Sequence, residues 1–239
     1  MTAEPIRLDR RQLRREQTVA QVVDLAVQIM AEQGAGGLSL GELARRMGLR
    51  TPSLYGYFPS KTALYDAVFE RGWTQLAVAL APERTALEET ADLGELLLSL
   101  GRSFVGWFLD NPGFAQLMMW RPVPGYQPSQ EAYRPAEHVL QDATAIFVRL
   151  QRRGLLRADV EPAYMLRVWT VVTSGVATQQ MSNAPEQGLA NGAFAATLPD
   201  VVAIFAQYFG AAAPSDQSST SLCTPTWTRP APHPAAPPS

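Results

Sequence analysis

Apolar residues recur along this chain at helical spacing and almost nowhere at alternate positions. Val19, Val22, Val23, Ala26, Ile29 and Met30 follow an i, i+3, i+4, i+7 stripe, predicting a first helix with one buried face. Gly34 suits a left-handed position just past its end. Ser39-Leu-Gly-Glu42 has the S-x-x-E spacing of a capping box. It opens a shorter helix, about 40–47, with Leu40, Leu43, Ala44 and Met47 on its apolar face and Gly48 at its end. Thr51 as N-cap and Pro52 at the first helical position predict a third helix, about 51–57, stopped by Pro59. Ser60 caps a fourth, running from Lys61 through Leu64, Val68 and Trp73 to about Leu80.

Longer helical patterns follow at about 91–110, 112–120, 130–153, 161–183 and 194–209. Asn111-Pro112-Gly113, the prolines and glycine of 121–125, Arg153-Gly154 and Asn183-Ala-Pro185 separate them. The expected fold class is therefore all-α, without a sheet. From Gly210 the text turns to Ala, Pro, Ser and Thr, ending PAPHPAAPPS. Residues 210–239, Cys223 and Trp227 among them, read as a disordered tail with too few core residues to fold alone.

Composition removes several classes of function. The single cysteine excludes an intrachain disulfide, and with only His138 and His233 besides, no metal centre or other cofactor is expected. The N-terminal stretch has arginines but no apolar signal region, and no run approaches the roughly 20 apolar residues of a membrane span. A cytoplasmic protein with no membrane partner is expected. The net charge of −2 hides an asymmetry: nine cations face six acids through Lys61, and the remainder is acidic. A basic head on an acidic body points to a polyanionic partner for the head.

Two short helices joined by Gly48-Leu49-Arg50 form a helix-turn-helix candidate whose second member would be the recognition helix. Leu54 and Phe58, four apart, face inward against Leu43 and Met47, leaving Thr51, Ser53, Tyr55, Gly56 and Tyr57 around the exposed arc. Their hydroxyls suit phosphate oxygens or base edges. Gly56 costs about 1 kcal/mol of helix propensity, and either admits a close backbone approach or marks a fraying end. Lys61, the only lysine, stands in the first turn of its helix. A cation is unfavourable there for the helix and favourable for a phosphate held by both ammonium and helix end.

The Ala26-to-Gly34 helix end, SLGELARRMG at 39–48 and LYGYFPSK at 54–61 together resemble the DNA-binding domain of tetracycline-repressor-type (TetR/AcrR) transcriptional regulators. The resemblance covers about a quarter of the chain, and the later helices agree with it only in being helical. It implies a basic arm at 1–15, a three-helix DNA-binding domain at 16–62 and a helical regulatory and dimerisation domain at 63–209. It also implies a homodimer on a palindromic double-stranded operator, released by a small-molecule effector, usually as a repressor. Ser39, Arg50, Thr51, Ser53, Tyr55, Gly56, Tyr57 and Lys61 would face the DNA.

For the effector, taken as apolar or aromatic, the soft side chains of the middle helices are the candidates. These are Trp107, Phe108, Phe114, Met118, Met119, Trp120, Tyr126, Tyr133 and Trp169, with Gln116, His138, Thr170 and Thr173 as polar contacts. Val172, Val176 and Gln180, with Val201, Phe205 and Phe209, are the dimer candidates. An all-α enzyme or a helical adaptor without DNA are the competing readings. No E-x-x-H spacing, nucleophile elbow or phosphate loop supports the enzyme.

Overall fold

The structure is a computed structural model that describes residues 10–86, 92–120 and 122–211. Arg7, Arg121, Cys223, Trp227 and His233 lie outside the described residues. Within them are nine α-helices: α1 Arg10–Gln33, α2 Leu40–Arg46, α3 Thr51–Tyr55, α4 Lys61–Ala86, α5 Leu93–Asp110, α6 Pro112–Met119, α7 Gln130–Arg152, α8 Pro162–Asn183 and α9 Leu198–Phe209. Two 3₁₀ turns, Ala35–Gly37 and Ala195–Thr197, precede α2 and α9. The only β pairing among the described residues is one isolated antiparallel bridge, Leu156 with Gly210.

Several boundaries differ from the sequence reading for local reasons. Arg10 to Arg15, expected in an arm, form the first turns of α1. The cap of α3 is Arg50, whose extended backbone (φ −80°, ψ 138°) enters the helix one residue earlier than expected, with no side-chain cap. Pro82, expected to follow α4, lies inside it. The carbonyl that this proline leaves without a partner belongs to Val78, which is 70% exposed, so water can satisfy it. Gly210 and Ala211, placed in the tail, are tied down: Ala211 N–H donates to Leu155 O, and Arg157 N–H to Phe209 O.

Two apolar clusters organise the molecule. The first gathers Val22, Ala26, Ile29, Leu43, Leu54, Phe58 and Leu64 around the three short-spaced N-terminal helices. The second gathers Leu97, Phe108, Phe147, Met165, Trp169 and Phe205 among α5, α7, α8 and α9. Helix α4 serves both, giving Leu64, Tyr65, Val68 and Phe69 to the first and Leu76 to the second. The boundary drawn at 62–63 therefore runs through packed structure.

Helix α6 also divides its faces. Phe114 and Leu117 join the first cluster, Ala115 joins the second, and Met118 packs against both. Its Gln116 clamps the loop after α1: Nε2 donates to Met30 O at 3.2 Å, and Oε1 accepts from Ala35 N–H at 2.8 Å.

Candidate nucleic-acid interface and interior cavity

Helix α2 is held by Ser39, whose Oγ accepts from Glu42 N–H at 3.5 Å, and the chain turns at Gly48 with φ 65°. Leu54 is fully buried and Phe58 nearly so, which fixes the rotation of α3 and turns Ser53, Tyr55 and Gly56 outward. Tyr55 is 53% exposed, Arg50 is exposed, and Thr51 and Tyr57 are half-buried. Gly56 has φ −69°, so the backbone there does not require glycine. Its carbonyl accepts from Arg15 Nη1 at 3.0 Å, and the same guanidinium lies 5.4 Å from the Tyr57 ring centroid. Arg10, Arg11, Arg14 and Arg15 thus flank a groove with Gly56 and Tyr57, beside the end of the recognition helix. That juxtaposition was missed. The 10, 11, 14, 15 spacing, one face of a helix, was the available signal.

Lys61 has intrachain neighbours, being 3.5 Å from Gly36 O and 5.4 Å from the Tyr65 ring centroid. Ser60 Oγ accepts from Ala63 N–H, taking one of the free donors at the start of α4. Two other cations of the head are engaged internally. Arg45 and Arg46 both bind Glu42 at 2.8 Å, and Arg46 reaches Glu32 at 2.7 Å. Hydrogen bonds from Arg45 and then Arg46 hold the Glu42 carboxyl far below the usual range, at about 2. Because this pKa is depressed on folding, its stabilisation is complete above the ordinary value near 4.5 and disappears as pH falls through the folded value. The melting-temperature gap between wild type and Glu42→Gln should therefore be constant above about pH 4.5 and close toward pH 2. A gap undiminished at pH 2 would refute it.

A cavity of about 270 Å³ lies in the body, lined by residues of α4, α5, α7 and α8 and by Met118 and Met119 of α6. Of the proposed effector contacts, Phe108, Met118, Met119, Trp169, Thr170 and Thr173 line it. The others do not. Trp107 and Phe114 pack together at 6.0 Å, and Trp120 is 37% exposed. Tyr126 donates its hydroxyl to Asp66 at 3.0 Å; burial, then Asp66, push that phenol well above its usual range. Tyr133 stacks on Phe69 and His138 is exposed, while Gln116 is spent on the clamp. Trp73, Phe104, Phe147 and Ser174 line the cavity and were not anticipated.

Four of the six residues expected at a dimer face are turned into the chain's own core. Val176, Gln180, Phe205 and Phe209 are buried within the chain, and Val172 and Val201 are half-buried. Gln180 organises the α8–α9 connection, donating to Ala184 O and accepting from Phe194 and Ala195 N–H. The large apolar side chains facing outward on these helices are Tyr164 and Val171 of α8, and Ile204 and Tyr208 of α9. Among the described residues no helix is long and apolar enough to cross a membrane, and no cluster of metal-binding side chains occurs.

Residues 22–68 match the model for bacterial regulatory proteins of the tetR family, and residues 97–206 the model for the tetracyclin repressor-like C-terminal domain. The HTH-type transcriptional regulator Rv1816 of Mycobacterium tuberculosis is 31% identical over 182 residues, 74% of this chain and 70% of that one. The HTH-type transcriptional repressor DrrR1 of Streptomyces coeruleorubidus is 31% identical over 113 residues, 45% of this chain and 38% of its own. In fold, the chain is similar to the transcriptional regulator FadR from Bacillus subtilis solved with stearoyl-CoA. The TM-score is 0.61 at 15% identity, covering 78% of this chain and 97% of that one.

Proposed function

The chain belongs to the tetR family of bacterial regulatory proteins, and from that premise we propose that it binds a palindromic operator as a homodimer and lets go when a small apolar or aromatic effector fills the cavity. As a member it is a DNA-binding transcriptional regulator with a helix-turn-helix, and the family is not one of enzymes. Repression is the sign we assign, in keeping with the named repressor among its relatives.

The observation that carries ligand control is the position of α6. One short helix clamps the head through Gln116 and lines the cavity with Met118 and Met119. An effector that fits the cavity only when these methionines shift would favour the arrangement in which the heads no longer match the operator. Equal affinity for both arrangements would shift nothing. Stearoyl-CoA, bound in the FadR structure, has a polyanionic head group. No Arg, Lys or His is among the residues lining this cavity, which supports an uncharged effector.

On the DNA side, α3 enters the major groove with Arg50, Thr51, Ser53 and Tyr57 toward base edges, while Tyr55, Lys61 and the Arg10–Arg15 face hold phosphates. Dimerisation uses the outward faces of α8 and α9. Selection of operators from random duplex DNA, followed by release assays, tests the whole reading; failure to enrich any two-fold symmetric sequence would sink it. Lys61→Ala should weaken binding to all sequences alike and reduce the salt slope by about one. Fluorescence-anisotropy titrations at several salt concentrations check this, and an unchanged slope removes Lys61 from the phosphate contacts.

A further inference from the structure

Helix α3 is five residues long, too short to hold its own shape, so its neighbours must fix it. Leu54 and Phe58 anchor one face in the core of the head, while Tyr57, between them in sequence and Phe58, is only half-buried. A further restraint comes from α1. Arg15 Nη1 donates to Gly56 O at 3.0 Å, and the guanidinium lies over the Tyr57 ring, 5.4 Å from its centroid. A cation suits the carbonyl end of a helix, and a planar guanidinium can bond and stack at once. Arg15 is delivered from a fixed rod. About two turns further along α1, Val22 and Val23 are buried, and Arg71 of α4 donates to Ala20 O and pairs with Asp24.

We propose that Arg15 is a positioning residue of the recognition helix, setting where Tyr57 presents its hydroxyl to the operator and so contributing to sequence preference. This rests on the reading of α3 as the element that enters the major groove. An arginine that only held a phosphate would add affinity for every duplex alike. One that fixes a base-facing side chain before binding spares the operator complex the cost of ordering it, and non-specific duplex gains nothing from that. Arg14 is the contrast. It is exposed and lines the same groove, but makes no hydrogen bond to α3 among the described residues.

The test compares Arg15→Ala with Arg14→Ala in the full-length protein, on a selected operator duplex and on a shuffled duplex of the same composition. Replacing an exposed arginine by alanine raises helix propensity, so neither variant threatens α1. Both remove one cation from the arginine face and should flatten the salt slope to a similar extent. Only Arg15→Ala should also lower the ratio of operator to shuffled affinity. The expected fall is roughly two- to twelve-fold, the range of one net hydrogen bond, because preorganisation returns no more than the clamp itself is worth. In DNA-free protein labelled with 3-fluorotyrosine, the fluorine resonance lost in Tyr57→Phe should move in Arg15→Ala and stay in place in Arg14→Ala.

If Arg15→Ala weakens both duplexes equally, or leaves the Tyr57 resonance where it was, the proposal is overturned. Arg15 is then a phosphate contact like its neighbour, and the reading of α3 survives. An equal fall in the ratio for Arg14→Ala overturns it too, since the effect would belong to the charge of the face. If wild type itself binds the selected and shuffled duplexes alike, the operator reading fails and the proposal with it.

Discussion

Gly113→Ala is expected to lower the melting temperature by roughly 6–12 °C, from a cost of about 3 kcal/mol at 2–4 °C per kcal/mol for a chain of this size. Gly113 sits in the first turn of α6, where its backbone rests on the backbone of α1. A β-carbon there would lie 2.9 Å from Val27 Cγ1 and closer still to the Val27 carbonyl oxygen. Side chains can turn aside, but a helical carbonyl nearly two turns inside the end of α1 cannot, so the two helices must separate. Gln116 lies on the same helix three residues on, so separation also strains its bonds to Met30 and Ala35. The contrast is Gly56→Ala, where the backbone is right-handed and the nearest obstacle is Ser53 O at 3.3 Å. Differential scanning calorimetry of the two variants decides the matter: equal melting temperatures would mean that α1 and α6 do not approach as closely as described.

The double variant Val171→Glu/Ile204→Glu should be monomeric at micromolar concentration and bind operator at least 100-fold more weakly. Val171 is 70% and Ile204 67% exposed, so neither packs in its own core, and the chain should melt within about 2 °C of wild type. In a two-fold dimer each position occurs twice. Losing four buried apolar side chains, each worth about 1.5–3 kcal/mol, exceeds the 4 kcal/mol that separates nanomolar from micromolar association. Operator affinity follows because the second head would no longer be held near its half-site at an effective concentration near millimolar. Analytical ultracentrifugation and operator titration measure the two effects. A dimer that persists, with native operator affinity, moves the interface elsewhere.

The head was legible because its determinants are local. Leu54 and Phe58 are four residues apart on the same short helix, and Ser39 and Ser60 cap helices that begin at the next residue, so spacing alone assigns them. The α8–α9 face was not. Val171 and Val176 are both valines on one helix, one 70% exposed and one 6%, and nothing in their neighbourhood distinguishes them. The stripe with the most apolar bulk, Val176 to Phe209, was the one the chain buries for itself. The cavity lay further out of reach, since Trp73, Phe104, Phe147 and Ser174 come from four helices whose relative rotation no local pattern records. Gly113 reads in sequence as part of a break, and only the packing shows that it is a contact.

The two-faced packing of α6 also constrains the protein's behaviour as a sensor. If the same helix couples cavity and head, the coupling free energy is a property of both ligands together. Whatever factor the effector takes from operator affinity, the operator must take from effector affinity. A molecule seated on DNA is therefore a less sensitive detector than one free in solution, and the response threshold rises with the number of occupied operators.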